Sequence, residues 1–251
     1  NKLAVAPGVD GDAMTVTWTL RDGLKWSDGV AITCADFVYS RNWVLSLDEN
    51  GNKIPSVDAN GQPVVDEATG EPVYVTQPLS TLGYDELDSI ECVSDTEMIF
   101  HYGEIYEGYL GGISVYPKHY FSKFSMEDMI QGAGFTTADL PNVPVSGPFK
   151  FASATPGSEL RLARNENYTS ALTGKAALLD ELVFKWYASA ETMIAGFKAG
   201  EIDMATDLND ADIASVADLG FYEDGGAVSA IASTTYEFLR PNHSATACSK
   251  N

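Results

Sequence analysis

The 251-residue sequence is poor in cysteine, histidine and positive charge, and it contains no long hydrophobic run. Each scarcity closes a class of function. Cys34, Cys92 and Cys248 are an odd number at wide spacing, which is no disulfide framework, and none has a Cys or His nearby at metal-site spacing. His101, His119 and His243 form neither H-x-x-x-H nor H-E-x-x-H. A G-x-S-x-G elbow and a P-loop are missing, and Gly108–Gly112 lacks the lysine and Ser/Thr that a phosphate cradle needs. Lys and Arg number 15 against 36 Asp and Glu, a net charge of -21 that argues against a nucleic-acid partner and against anionic lipid. No stretch reaches the roughly 18 apolar residues of a membrane helix, and Asn1–Asp10 does not read as a charged-then-apolar export signal.

What is present is a chain that is 45% hydrophobic and 11% aromatic, enough for one large or two small cores. Its most legible stretch is Thr17–Ser40. Met14, Val16, Trp18 and Leu20 alternate with threonines, which predicts a half-buried strand over Met14–Leu20. Arg21-Asp22-Gly23 turns the chain, Leu24-Lys25-Trp26 extends it, and Ser27-Asp28-Gly29 turns it again, with Gly29 free to take a positive φ. Thr33 and Asp36 then stand at capping-box spacing ahead of a helix from about Ala35 to Leu45.

The order LR-x-G-x-K-W-S-D-G followed by T-x-x-D-F-V-Y-S resembles the signature region of the family 5 extracellular solute-binding proteins, receptors of ABC importers. Here it comprises Leu20, Arg21, Gly23, Lys25, Trp26, Ser27, Asp28, Gly29, Thr33, Asp36, Phe37, Val38, Tyr39 and Ser40. Three further blocks resemble the family in the same order. They are Val145–Phe151 with Pro156-Gly157 and Leu160–Tyr168, then Leu179–Phe184 with Phe197–Met204, and then Thr234–Phe238 ahead of Asn242. Departures are Ser146 where threonine is usual, Phe149 where tyrosine is usual, and a poor match after Asn242.

The resemblance implies a mixed α/β fold, an incomplete lobe of the type II periplasmic-binding-protein kind with the extra subdomain of family 5. Residues 1–145 would be the N-terminal subdomain and 146–251 the strand-rich part of the first ligand-binding lobe. Relatives are longer, so the chain corresponds to a fragment whose second lobe is absent. The implied function is capture of an oligopeptide or other small solute and delivery to membrane permease subunits, as a monomer without cofactor or metal. It would work at the extracellular face or in the periplasm, lipid-anchored in the full-length protein. Tyr39 and Tyr236 match family positions near ligand, and Trp186, near the end of a predicted strand, is a third candidate contact. Each of the three also fits a packing role. An alternative is an extracellular interaction or sensing module derived from such a lobe.

The rest of the chain reads more simply. Asp48–Val75 carries Asn50-Gly51, Asn60-Gly61 and Thr69-Gly70, hence successive turns joined by short extended pieces, and it lacks the calcium-loop frame. This excursion would be the contact surface in the interaction-module reading. Ser89–Val93 and Glu97–Tyr102 predict a hairpin, and Ser125 caps a helix to Gly132. Strands are expected at Phe149–Ala152, Glu159–Arg164, Glu181–Trp186 and Ile202–Ala205, with a helix ending at Gly200, a short helix over Asp210–Leu219 and an extended stretch over Val228–Leu239. Cys34 and Cys92 suit small core residues, and a bridge between them is open to an exported protein. Carboxylate pairs such as Glu86/Asp88 and Glu201/Asp203 reflect abundant acid and carry no acid–base signal, so binding is the expected class rather than catalysis.

Overall fold

In the computed structural model the alternation of Met14–Leu20 becomes strand β3, Ala13–Thr19, with Met14 and Val16 sealed on one face. Residues 2–3, 8–10, 13–58, 60–76, 80–206, 208–209 and 212 are described, so Cys248, His243, Tyr236 and the stretches expected over Asp210–Leu219 and Val228–Leu239 lie outside them, Asp212 excepted. The chain divides into two units, Asn1–Trp186 and Tyr187–Asn251.

The first unit holds two antiparallel sheets. One contains β1 (Lys2–Leu3), β2 (Gly8–Asp10), β3, β4 (Leu87–Cys92) and β5 (Glu97–Tyr102), in the order β1-β3-β5-β4, with β2 also pairing β3. The other contains β6 (Phe149–Thr155), β7 (Glu159–Arg164) and β8 (Glu181–Lys185), in that order. Helices α1 (Cys34–Val44), α2 (Lys118–Phe121) and α3 (Met126–Ile130) belong to this unit, and α4 (Ala190–Lys198) to the second.

The core of the first sheet is built by β3 against β5, where Val16 faces Phe100 and Trp18 faces Met98. Val16 and Met98 are fully enclosed, Phe100 is 1% exposed, and Phe37 and Val38 of α1 pack against this cluster. A disulfide joins Cys34, the first residue of α1, to Cys92, the last of β4, across 58 residues with 5.8 Å between Cα atoms. The Cys34 amide also donates to the Asp95 carbonyl in the β4–β5 turn at 2.8 Å. Thus the bridge left open by the sequence is formed; Cys34 is the small core residue expected, but Cys92 is exposed, because β4 ends at the sheet's edge and the disulfide, not packing, fixes it there.

Helix α1 begins as predicted. The Thr33 amide donates to Asp36 Oδ2 at 2.9 Å, so one of the orphan donors of the helix start is satisfied. Asp36 does more than cap. Its Oδ1 accepts the Lys118 amide at 2.9 Å, and its carbonyl accepts the Ser40 hydroxyl at 2.6 Å, while Ser40 Oγ accepts the Tyr116 amide at 2.8 Å. Buried Asp36 and Ser40 therefore tie helix α1 to the segment that opens α2. Burial of these polar atoms is compensated because several donors converge on the Asp36 side chain.

A second cluster packs on the other side of α1, with Trp43 stacked 5.8 Å from Phe121 and edge-on 4.4 Å from Tyr116. Strand β4 carries a bulge between Leu87 and Ser89, which the sequence did not announce. Arg41 of α1 covers it, donating from Nε to the Leu87 carbonyl at 2.7 Å and from Nη2 to the Asp88 carbonyl.

The excursion after α1 forms three turns, each headed by an aspartate. Asp48 Oδ1 accepts the amides of Asn50 and Asn52, Asp58 Oδ1 those of Asn60 and Gln62, and Asp66 Oδ1 those of Ala68 and Thr69, all at 2.8 to 2.9 Å. Amide donation to the carboxylate, first from Asn52, Gln62 and Thr69 respectively, pulls all three acids below the usual carboxylate range. The extended pieces between the turns close a ring: Ser56 N donates to Val73 O, Val73 N to Val64 O, and Val64 N to Ser56 O. Each piece thereby pairs with both others.

In the second unit Ser189 Oγ accepts the Thr192 amide at 3.3 Å and starts α4. Ile202–Ala205 is irregular rather than the expected strand, and it pairs with no strand among the described residues.

Candidate functional site

The second turn of the opening stretch organises the site. Trp26 N donates to Val30 O at 2.8 Å and Ile32 N to Leu24 O at 3.0 Å, closing a small hairpin over Ser27-Asp28-Gly29. Gly29 sits at φ +91°, where a side chain would be strained, and the Val30 amide donates to Asp28 Oδ1 at 3.1 Å. Asp28 Oδ2 lies 2.7 Å from His119 Nε2, which ties the turn to α2. Partial burial pushes the Asp28 carboxyl up, but the His119 hydrogen bond and the Val30 amide outweigh it and leave its pKa lowered.

Ser27 is where two distant blocks meet. Its amide donates to the Val145 carbonyl at 2.8 Å, and its hydroxyl accepts the Val145 amide at 3.1 Å. The Asn167 side-chain amide donates to the Ser27 carbonyl at 3.1 Å. Asn165, with no exposed surface, donates from Nδ2 to the Gly147 carbonyl at 2.8 Å and accepts the Asn167 amide at 3.1 Å. The first two sequence blocks thus converge on one turn, and their polar residues satisfy backbone groups that the sheets leave over.

Beside this junction opens a cleft of about 430 Å³. Its apolar wall comes from Leu20, Leu24, Trp26, Ile32 and Phe37, continued by Ile113 and Val115. Its polar side chains are Arg21, Lys25, Ser146, Asn167, Tyr168 and Thr169. A cleft of this volume, lined by apolar and polar side chains in nearly equal number, has room for a small organic molecule with both kinds of surface. Arg21 Nη2 reaches the Thr169 carbonyl at 3.4 Å, and Arg21 Nε is shut off from solvent without a partner among the described residues. No cluster of His, Cys, Asp and Glu able to hold a metal occurs among the described residues.

The aromatic candidates lie elsewhere. Tyr39 is half-buried on α1, against the second cluster, with its hydroxyl 3.9 Å from Met129 Sδ, and burial pushes its phenol up to about 12. Trp186 follows β8 and is 57% exposed, its amide donating to the Ser158 carbonyl at 2.9 Å. Neither lines the cleft, and Tyr236 lies outside the described residues. Sequence reasoning treated Arg21, Lys25 and Asn167 as motif scaffolding. The signal that they line a cleft was the pair of cations between Leu20, Leu24 and Trp26, in a chain otherwise dominated by acid.

Comparison with known proteins completes the picture. The family model described as "Bacterial extracellular solute-binding proteins, family 5 Middle" matches residues 1–250. The chain is 24% identical over 201 residues to the oligopeptide-binding protein AppA of Bacillus subtilis, covering 77% of this chain and 31% of that protein. It is 28% identical over 208 residues to a probable peptide ABC transporter periplasmic-binding protein, y4tO, of Sinorhizobium fredii, covering 78% and 32%. Among solved structures it resembles a periplasmic EDTA-binding protein, EppA, with TM-score 0.61 and 20% identity over 83% of this chain and 34% of that one. It also resembles AppA of Bacillus subtilis in complex with a nonapeptide, with TM-score 0.56 and 22% identity over 80% and 34%. The chain spans about a third of the length of the curated relatives it matches. These structural likenesses establish the mixed α/β fold of such receptors, and the match along nearly the whole chain places this protein in family 5 of the bacterial extracellular solute-binding proteins.

Proposed function

We propose that this chain is part of the substrate-binding component of an ABC importer, which captures a peptide-like solute outside the membrane and passes it to permease subunits. The observation that carries the reading is the family match over residues 1–250, together with relatives named for oligopeptide and peptide binding. No described helix is long and apolar enough to cross a membrane. In this reading the receptor is a monomer, held at the outer face of the membrane by a lipid anchor. In the same reading residues 1–145 form the N-terminal subdomain and 146–251 the strand-rich part of the first lobe. Trp186 is the ligand contact best supported by its surroundings, since its indole is more than half exposed. Tyr39 would serve from the rim and exchange its Met129 contact for the ligand, and Tyr236 would serve from the aromatic strand the family resemblance assigns.

Native mass spectrometry of the full gene product tests this directly. A co-purifying peptide-sized mass that leaves on unfolding is expected, and a receptor that neither carries nor takes up peptides overturns the reading. The 251 residues alone should bind peptide weakly, because closure between two lobes supplies much of the affinity.

One observation favours a second reading, an interaction module. Val57, Val65, Val73 and Tyr74 of the ring-shaped excursion are all exposed, on a segment that carries six acids and one lysine over residues 48–75. Loss of solute uptake with retained surface binding would identify it.

A further inference from the structure

The cleft beside Ser27 has an electrostatic character opposite to that of the molecule. The chain carries 36 acids and 15 bases, yet the lining includes two cations, Arg21 and Lys25, and no acid. Neither cation has a carboxylate partner among the described residues, where the ion pairs of arginine involve Arg161 and Arg164. Arg21 is half-buried, and among the described residues its Nε is sealed without a partner and its hydrogen bond to the Thr169 carbonyl, at 3.4 Å, is long. A guanidinium held against an apolar wall with so little compensation is poised for an anion, and its planar Nη edge matches a carboxylate.

We infer that this cleft binds a small monocarboxylate with an apolar body: the carboxylate on Arg21 Nη and Lys25 Nζ, the body against Leu20, Leu24, Ile32 and Phe37. Ser146 and Asn167 also line the cleft. A polyanion is disfavoured by the net charge of -21, and a fully polar anion would leave the apolar wall uncovered. The carboxylate belongs either to a free small acid or to the C-terminal residue of a peptide. The site stands apart from the importer reading, since it needs only residues of the first unit and no second lobe.

The test is an amide NMR titration of the 251-residue chain with N-acetyl-leucine, and with N-acetyl-leucinamide as its uncharged counterpart. The acid should shift and saturate the resonances of Arg21, Ser146 and Asn167, with the amide bound about tenfold or more weakly. Arg21→Gln should weaken the acid about tenfold while leaving distant resonances in place, and Lys25→Gln should weaken it less. Tri-leucine with a free carboxyl terminus separates the sources: binding assigns the site to peptide termini, and binding of N-acetyl-leucine alone assigns it to free acids. Equal affinity for acid and amide, shifts confined to other regions, or no saturable binding of either acid overturns the proposal. Should Arg21→Gln fail to fold, Lys25→Gln and the acid–amide contrast decide the matter unaided. Peptide capture by the full gene product can fail while this site holds, and the reverse, so the two readings are separable.

Discussion

The two sheets of the first unit are made from comparably apolar strands, yet their surroundings differ. In β3 and β5, Met14, Val16, Met98, Phe100 and Tyr102 are buried, under α1 and locked at one corner by the Cys34–Cys92 bridge. In β6, β7 and β8 every described strand residue is half-buried or exposed, and Asn165 is the one buried residue between Phe149 and Lys185. The second sheet is held by polar links instead: Ser27 with Val145, Asn165 with Gly147, and Arg161 with Glu159 and Glu181. Packing makes the first sheet stable from within, whereas the second takes its position from a junction. The same hydrophobic residue should therefore count very differently in the two places.

Phenylalanine offers the sharpest break. Phe100 lies 5.9 Å from Trp18 and 6.3 Å from Phe37, ring to ring, with 1% of its surface exposed, whereas Phe184 in β8 is 50% exposed. Phe100→Ala should cost about 3–5 kcal/mol through lost burial and the cavity left behind. Phe184→Ala should stay within about 0.5 kcal/mol. Urea unfolding of both variants measures this, and similar losses at the two sites would mean that the two sheets are packed alike.

The disulfide comes next in size. Closing a loop of 58 residues removes about 4 kcal/mol of unfolded-state entropy in the chain-entropy model, of which about 2–4 is commonly realised. Cys34→Ser with Cys92→Ser should lower the unfolding free energy obtained from urea titration by that amount, and the ladder of β6, β7 and β8 should keep its hydrogen-exchange protection relative to the rest. Equal loss of protection in both sheets would show that they unfold as one body.

The same contrast explains how far the sequence could be read. Strand β3, the Leu87–Tyr102 hairpin, the Thr33–Asp36 cap and the start of α4 were legible because each rests on residues within a few positions of one another. The three aspartate turns were legible for the same reason. What escaped was long-range. The β4 bulge shows only in its pairing, and Arg41 covers it from 46 residues away. Asp36 looked like a cap alone, although its second oxygen reaches Lys118, 82 residues on. Ser27 and Asn167 stand 140 apart, and nothing local says that they meet. The cleft follows from that meeting, so its cations could be named as motif residues and not as a site. Ile202–Ala205 erred in the opposite sense: the apolar pattern was there, but a strand needs a partner.

The smallest effect sets one carboxylate of each region against the other. Asp28 and Glu159 both titrate below their usual range. For Asp28, burial opposes the shift and His119 with the Val30 amide prevails, and for Glu159 the leading cause is the Arg161 hydrogen bond. A depressed carboxyl contributes stability above its unfolded pKa, near 4, and that contribution disappears as pH falls through the folded value. Asp28 keeps 39% of its side-chain surface exposed, so solvent screening limits its worth to a few tenths of a kcal/mol. Asp28→Asn should show that small deficit above about pH 4, with the difference from the parent fading at lower pH as Asp28 itself takes up a proton. Glu159→Gln should instead remove a low-titrating carboxyl from the NMR pH profile without a measurable change in unfolding, because its partner is a solvated arginine on an open sheet. A stability loss at Glu159 larger than at Asp28 would mean that ion pairs, and not only the Ser27–Asn165 junction, hold the second sheet in place.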